Sequence, residues 1–379
     1  MRRGLMAWDT EEVPPGILAD RLVRLREAMA ADGLDALLIY TNFPRPAAVT
    51  YLTAFTPYWS DALLYVPKTG EPVFATALSK RVAKWINSVK PVGELVNTPR
   101  PGQTVGERIV ADASVRTVGI LEMDALPAGI YDDLEAAAPA ARFVEGGKAF
   151  AQARRLIDDS ERGLLAKAGV IAANALDQVD PAAMRVTGIA VGAVEKAARL
   201  SGAEEAYIHI APDLAQNAAF ARLSGEVPLG ARFAMRASVA YKGIWVRRIR
   251  SFARDTEDQA LCDRADGWLR ETALALKPDA PLGPQIVAAL GGLEGATLES
   301  WLAESSLGSY PLQDIASGSA ASASAGDAGT PDKSMLVLTV KLKLGGAFFA
   351  GGVTVLVAKN GNVLLTPEPS SARAAVAAA

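Results

Sequence analysis

Residues 230–252 read GARFAMRASVAYKGIWVRRIRSF, and this stretch decides the predicted fold of the second half of the chain. Residues 232–252 are rich in apolar and β-branched side chains, which indicates β structure. A turn is predicted at Tyr241-Lys242-Gly243, in the middle of the stretch. The chain is therefore expected to form a β-hairpin here, with Arg236 and Arg247 as approximate cross-strand partners.

Strands and helices are predicted on both sides of this hairpin. Before it, helices and short buried strands alternate over residues 1–150, which indicates a small α/β domain. The predicted strands are 36–40, 62–66, 73–76 and 118–121, and the predicted helices are 18–29 and 128–138. Residues 152–160 are predicted to be a connector. Beyond it we predict helices at 164–175, 186–200 and 259–276, strands at 206–211, 335–344 and 353–357, and a flexible loop at 316–330.

Composition excludes several classes of protein. The 379 residues carry 39 Lys and Arg against 42 Asp and Glu, so the basic excess typical of a nucleic-acid binder is missing. One cysteine and one histidine exclude an internal disulfide, a cysteine cluster for metal, and a site with two histidines. No apolar run approaches the ~20 residues of a membrane span. We expect a cytoplasmic protein that binds neither nucleic acid nor membrane.

Four segments in this order resemble the creatinase, aminopeptidase P and prolidase family, the "pita-bread" peptidases. They lie at residues 21–39, 155–169, 230–252 and 335–366. The resemblance implies an α/β fold with a creatinase-like N-terminal domain at 1–152 and a pita-bread domain at 153–369, followed by a frayed tail at 370–379. It also implies a homodimer, or a heterodimer with a paralogue of the same family.

The chemistry of that family uses two divalent ions held by two Asp, one His and two Glu, and the resemblance places these five positions in this sequence. They fall at Arg236, Arg247, Ser305, Lys341 and Gly352. None is the expected ligand, and three are cations. The catalytic histidine of the family would fall near Ala219 or Phe220, so it is missing too. We predict a degenerate metal position that needs no metal and no cofactor.

The cations Arg236, Arg247 and Lys341 lead to two hypotheses about this position. Like charges across a strand pair destabilise a sheet, and a buried arginine needs a partner. An Asp or Glu from elsewhere in the chain could supply the negative charge, as in an inactive site whose residues have changed by neutral mutation. Alternatively, a ligand carboxylate or phosphate could bind there, which would make the former metal cavity an anion site.

Other candidate residues have ordinary explanations beside functional ones. His209 lies in an alternating strand pattern and is either a core or interface residue or a general base. Cys262 is expected to be a buried thiol rather than a nucleophile. The basic run 247–250 should divide between the two faces of its strand. The aromatics Tyr51, Phe55, Tyr58 and Trp59 are either core residues or part of a ligand site across a dimer.

Two functions follow from the resemblance and the missing ligands. The first is a non-catalytic binding or regulatory subunit, with a small anion in the former metal cavity. The alternative is a metal-independent hydrolase or lyase that cleaves a C–N or similar bond in a small carboxylated, creatine-like substrate. In that case Arg236 and Arg247 would hold the carboxylate. An ordinary metallopeptidase is disfavoured because too few ligands exist.

Overall fold

The computed structural model describes residues 8–55, 60–89, 93–222, 225–305, 312–319 and 329–368. The chain divides into two compact units, one ending at Ser160 and the other beginning at Glu161. Both combine helices with a β-sheet, so the predicted mixed α/β class is confirmed. None of the helices in these ranges combines the length and the apolar character that a membrane crossing requires.

The first unit is a twisted sheet with helices on both faces. Its strands are β1 Ala36–Thr41, β2 Ala62–Pro67, β3 Val73–Thr76, β4 Glu94–Asn97, β5 Thr117–Leu121 and β6 Arg142–Glu145, in the order β4-β3-β2-β1-β5-β6. Its helices are α1 Pro15–Ala31, α2 Ala47–Thr53, α3 Ala83–Val89, α4 Pro101–Ala111, α5 Ala128–Ala137 and α6 Gly147–Arg154. Strand β1 is buried along its whole length, which explains its unbroken apolar sequence. Leu37 and Ile39 face one core, while Leu38 and Tyr40 face the other.

The second unit is built on a larger sheet. Its strands are β7 Glu205–Ala211, β8 Arg232–Tyr241, β9 Ile244–Ala253, β10 Thr297–Ser305, β11 Gln313–Gly318, β12 Ser334–Leu344, β13 Ala347–Val357 and the short β14 Val363–Leu364. Seven of them follow the order β11-β10-β12-β13-β9-β8-β7, and β14 pairs with β13. The helices are α7 Asp159–Leu176, α8 Thr187–Leu200, α9 Thr256–Ala275 and α10 Leu282–Ala289.

Helix α9 covers one face of this sheet. Asp255 caps the helix by accepting hydrogen bonds from the backbone N–H groups of Glu257 and Asp258 at 2.9 and 3.0 Å. Ala265 and Leu269 then pack with alternate residues of β12, from Leu336 to Leu342, in the main core of the unit. The other residues of β12 therefore lie on the opposite face of the sheet.

The structure corrects two predictions in this unit. Residues 316–318, predicted as part of a flexible loop, are the end of β11 and pair with β10 from Trp301 to Ala303. Residues 320–328 of the predicted loop lie outside the described residues, as does the predicted tail at 370–379. The last long strand starts at Ala347 rather than Val353, because β12 and β13 form a hairpin that turns at Gly345 and Gly346. A low-complexity composition concealed the first of these strands, and glycines inside β13 concealed the start of the second.

Candidate functional site

The hairpin of β8 and β9 turns through two residues. Lys242 and Gly243 have positive φ angles of 48° and 77°, as a type I′ turn requires, and Tyr241 pairs with Ile244. The Glu204 carboxylate accepts hydrogen bonds from both turn N–H groups, at 3.0 Å from Gly243. This predicted turn determines the register of the two strands that carry Arg236 and Arg247.

The register places the two arginines on the same face of the sheet but not directly opposite each other. Arg236 pairs with Ile249, and Arg247 pairs with Ser238. The two are thus diagonal neighbours, offset by two residues from the cross-strand pairing that the sequence suggested. Diagonal positions lie about 7–8 Å apart, so two like charges repel less there than in a direct pair. We call this side of the sheet the arginine face.

A straight row of residues crosses the arginine face at the level of Arg236. Successive strand pairings align one residue from each of six strands: His209, Arg236, Ile249, Gly352, Thr339 and Leu302. We call these six residues the central row. The row joins β7, which carries His209, to β12 and β13, which lie more than 100 residues later in the chain.

Arg247 has a partner from within the chain. Its guanidinium forms an ion pair with the Glu304 carboxylate and donates a hydrogen bond from Nε to the Ser238 hydroxyl at 3.1 Å. Glu304 lies on β10, so the arginine side chain reaches past β13 and β12 to meet it. The backbone N–H of Arg247 donates a hydrogen bond to the Thr354 hydroxyl at 3.0 Å, and that hydroxyl donates one to the Arg247 carbonyl at 2.9 Å.

Burial dominates the electrostatics of this ion pair. The side chains of Arg247 and Glu304 are only 13% and 6% exposed. Burial raises the pKa of Glu304, and the nearby Arg247 only partly offsets that shift. The pair is therefore held by the surrounding fold rather than being a strong source of stability.

Arg236 has no such partner. It forms no ion pair and no hydrogen bond with any residue in the described ranges, and its Nε atom is buried without an acceptor. The Phe220 ring lies 5.3 Å from the guanidinium carbon. Burial, followed by the charge of Arg247, lowers the pKa of Arg236 to about 10. The side chain thus remains a cation at neutral pH, and Glu304, which acts on its charge from a distance, is bonded to Arg247.

Two more polar atoms of the central row are also buried without a hydrogen-bond partner. These are Nδ1 of His209, directly opposite Arg236, and Oγ1 of Thr339, three strands further along the row. Burial lowers the pKa of His209, and the charge of Arg236 lowers it further, so the imidazole is neutral at pH 7. Buried polar atoms normally find partners, so three exceptions in one row mark this face as a candidate site.

Two of the remaining predicted positions, Lys341 and Ser305, do not join the two arginines. Lys341 is on the arginine face but pairs with Ala350 and Ser300, two strands and four residues from Arg247. That separation is about 10 Å across the sheet and about 14 Å along it. Ser305 ends β10, and its hydroxyl donates to the Met335 carbonyl at 2.8 Å. The site is therefore centred on Arg236, with Arg247 beside it.

Gly352 lies in the central row, and the space that a side chain would take at this position is occupied by Ile249. A Cβ atom added there would lie 2.9 Å from both Cγ1 and Cδ1 of Ile249. Ile249 in turn packs with Ala234, Ala350 and Leu214 in a small apolar cluster. An isoleucine and a glycine thus occupy the centre of the row.

Comparisons with known proteins agree with this architecture. Residues 21–156 match the family described as the Creatinase/Prolidase N-terminal domain. The prolidase from Pyrococcus horikoshii OT3 has a similar structure, with a TM-score of 0.70, 14% identity, and coverage of 92% of this chain and 98% of that one. The fold is that of a prolidase. The resemblance that the sequence suggested is confirmed at this level.

Two other structures have the prolidase fold at similar distance. An X-Pro aminopeptidase from Thermotoga maritima MSB8 has a TM-score of 0.70 and 14% identity, covering 90% of this chain and 98% of its own. The N-terminal domain of FACT complex subunit SPT16 from Cicer arietinum has a TM-score of 0.66 and 13% identity, covering 96% and 99%. The comparison with curated protein sequences gives no significant match.

The side chains at the positions matched to the family's ligands do not fit a dinuclear metal centre. Two arginines and a lysine repel a divalent ion, glycine offers no donor atom, and the Ser305 hydroxyl is bonded to a carbonyl. Within the described residues, no three His, Cys, Asp or Glu side chains form a group that could hold a metal. Glu304, the buried carboxylate nearest these positions, is paired with Arg247.

Other sequence candidates take ordinary structural places. Cys262 is buried on α9, and burial raises its thiol pKa to about 12, so it is not a nucleophile. The basic run divides between the faces as predicted, since Arg248 and Arg250 pair with Asp266 and Asp177 on the helix side. Tyr51 and Phe55 belong to the core of the first unit, and Tyr58 and Trp59 lie outside the described residues.

A cleft of about 920 Å³ also opens on the helix side, between the ends of α7 and β9 and the start of α9. Its charged side chains are all engaged with neighbours: Arg250 pairs with Asp177, Arg254 donates to the Pro181 carbonyl, Asp180 and Asp255 accept from backbone N–H groups, and Asp263 accepts from Gln259. The arginine face, with its unpaired cation, is the better candidate.

Sequence reasoning missed three contributors to the site. Glu304 lies next to Ser305, yet nothing local in the sequence shows that it pairs with Arg247. Ser238 and Thr339 are ordinary strand residues until register places them beside the arginine and in the central row. Alternation along β8 and β12 could have placed them on the right face, but not opposite the right neighbours.

Proposed function

We propose that this prolidase-fold protein is a non-catalytic binding or regulatory subunit that holds a small anion at Arg236. The unpaired guanidinium of Arg236 is the observation on which the proposal rests. The guanidinium of Arg236 is half-buried and its Nε has no acceptor, which costs free energy that an anionic ligand would recover. Guanidinium groups bind carboxylates and phosphates through bidentate hydrogen bonds.

The side chains at the former metal position support the non-catalytic part of the proposal. The resemblance implies that the peptidases of this family activate water with metal ions, and here cations stand in three of the five matched ligand positions. The similarity to a domain of a complex subunit also supports a role for this fold in assemblies. Association as a homodimer, or as a heterodimer with a paralogue, stays a prediction that a measurement of mass in solution would test.

The test compares anions on the parent protein and on Arg236→Gln. Acetate, phosphate and manganese are added separately, and the unfolding temperature is measured. A ligand at ~100 times its Kd adds about 2.7 kcal/mol, which shifts the midpoint by several degrees in a chain of this size. We expect an anion to stabilise the parent but not Arg236→Gln.

Arg108→Gln is the matched control, because Arg108 is half exposed and pairs with Glu94 in the first unit. It should respond to anions as the parent does. Equal responses of the parent and Arg236→Gln to every anion would overturn the proposal. Stabilisation by manganese alone would show that the metal positions were misplaced.

The alternative, a metal-independent hydrolase or lyase, is favoured by one observation. His209 lies directly opposite Arg236, and its imidazole is neutral with Nδ1 free to accept a proton. A carboxylate held by Arg236 would place a substrate beside this base. Incubation of the protein with guanidino acids tests this alternative. If the parent turns over such a substrate and the folded His209→Asn variant does not, the enzyme is favoured over the binding protein.

A further inference from the structure

We propose that the ligand of the arginine face is a small aromatic monocarboxylate, with its acid group on Arg236 and its ring against Tyr207. This inference rests on the proposed anion site and specifies what that site selects. It depends on three features of the described residues: the charge balance, the shape of the cationic group, and the aromatic side chains on either side of it.

The charge balance of the site favours a ligand with one negative charge. Arg247 forms an ion pair with Glu304, whereas Arg236 forms no ion pair with a described residue, although Glu304 also acts on its charge at longer range. His209, the neighbour of Arg236 on β7, adds no charge at neutral pH because its pKa is lowered. The second negative charge of a dianion would have to be met by the exposed Arg222, which acts on His209, rather than by Arg236.

The shape of the cationic group favours a carboxylate. A guanidinium presents parallel N–H bonds in one plane, which match the two oxygens of a planar carboxylate. The Phe220 ring lies 5.3 Å from the guanidinium carbon and fixes the side chain from one direction. The ligand must therefore approach the remaining edge of Arg236.

An aromatic side chain is available on the other flank. Tyr207 pairs with Ser238, so it lies on the arginine face diagonally across from Arg236. Its ring is tilted by 31° against Trp245 with centroids 5.0 Å apart, and the residue is 38% exposed while Trp245 is buried. An exposed ring supported by a buried one is a stacking platform for a ligand ring.

The distance between the two groups suits a ring close to its acid group. Diagonal positions on a strand pair lie about 7–8 Å apart. A carboxylate attached directly to a six-membered ring spans a comparable length, so one molecule could contact Arg236 and Tyr207 together. A ligand without a ring would leave Tyr207 uncovered and lose the stacking contribution.

The test measures the binding of benzoate, acetate and phenyl phosphate at pH 7.5. His209 is the only histidine of the sequence, so the NMR signal of its ring reports on the site without assignment. Aromatic stacking of about 0.5–1.5 kcal/mol predicts that benzoate binds roughly two- to twelvefold more tightly than acetate. Phenyl phosphate, a dianion at this pH, should bind more weakly than benzoate.

Variants separate this inference from the proposed anion site. Tyr207→Leu should reduce benzoate affinity to the level of acetate and leave acetate binding unchanged. Phe43→Leu, at an aromatic residue of the first unit that is 46% exposed, should change neither. Benzoate and acetate of equal affinity, or tighter phenyl phosphate, would overturn the ligand class while the anion site stands. No binding of any anion, with Arg236→Gln indistinguishable from the parent, would overturn both.

Discussion

At the scale of single residues, the arginine face differs from a surface patch because its polar atoms are buried. Arg236, His209 and Thr339 each carry a buried nitrogen or oxygen without a partner. On a surface, water would satisfy these atoms and the row would mean little. Burial makes each of them costly, and the cost shows in the lowered pKa values of Arg236 and His209.

His209 should make the protein less stable in mild acid. Burial and the charge of Arg236 hold its folded-state pKa below the unfolded value of about 6.5. The unfolded chain therefore takes up the proton first, and the free energy of unfolding falls as the pH drops below about 6.5. Urea unfolding at pH 7.5, 6.5 and 5.5 should show a smaller loss in His209→Asn than in the parent.

Because the sequence has no other histidine, this comparison isolates one group. The carboxylates that titrate at lower pH are shared by both proteins, so their contribution cancels in the difference. Identical loss in the two proteins would mean that the imidazole is not held neutral by its surroundings.

At the scale of elements, the site depends on how strands far apart in sequence lie side by side. β9 and β13 pair where Ile249 meets Gly352, and this contact closes the middle of the central row. A bulky residue at 352 is excluded by Ile249. The glycine thus has a packing reason that is independent of the predicted loss of a ligand.

Gly352→Ala should destabilise the second unit by about 1–3 kcal/mol, since the new methyl group would overlap the buried Ile249 side chain. Urea unfolding measures this loss. In Gly352→Ala/Ile249→Ala the overlap disappears, so the double variant should lose less than the sum of the two single losses. Gly192→Ala, on α8 with open space around it, is the control and should not be destabilising. Strictly additive losses would argue against direct contact.

The Arg247–Glu304 ion pair connects β9 with β10 across two intervening strands. Glu304→Gln leaves a buried cation without its counter-charge and should cost about 3–5 kcal/mol. The apolar double replacement Arg247→Met/Glu304→Leu should cost much less, because burial already opposes the charge on Glu304. Chemical unfolding of both variants would decide. A double replacement as costly as Glu304→Gln would mean that the pair itself is strongly stabilising.

At the scale of the whole molecule, the chain has the prolidase fold, and the side chains at the positions matched to the family's ligands do not fit a dinuclear metal centre. At 13–14% identity, the compared structures still cover 90–96% of this chain. Burial patterns such as β1 and the alternation of β12 suffice to specify such a fold. The main core of the second unit lies on the other side of the sheet, so it does not depend on the charged side chains of the arginine face.

The purified protein should contain no stoichiometric manganese, cobalt or zinc. The cations at 236, 247 and 341 would repel a divalent ion, and no described carboxylate near them is unpaired and buried. Elemental analysis after purification without chelators measures this, together with an assay on an Xaa-Pro dipeptide. One or two metal equivalents accompanied by hydrolysis would contradict the predicted loss of the metal site.

The sequence by itself determined the α/β class and the β8–β9 hairpin with its turn at 242–243, and the resemblance predicts that all five expected metal ligands are replaced. These features depend on local patterns: apolar alternation, turn residues and the identity of single positions. They can be predicted because each is contained within a short stretch of chain.

Only the tertiary structure decided that Glu304 neutralises Arg247, that Arg236 stays unpaired, and that Lys341 lies away from both. It also decided that residues 316–318 form the end of a strand. The physical reason is that strand order and register are determined by packing between segments up to about 100 residues apart. A shift of one residue would exchange the two faces of the sheet, and no local pattern specifies which distant neighbour a side chain meets.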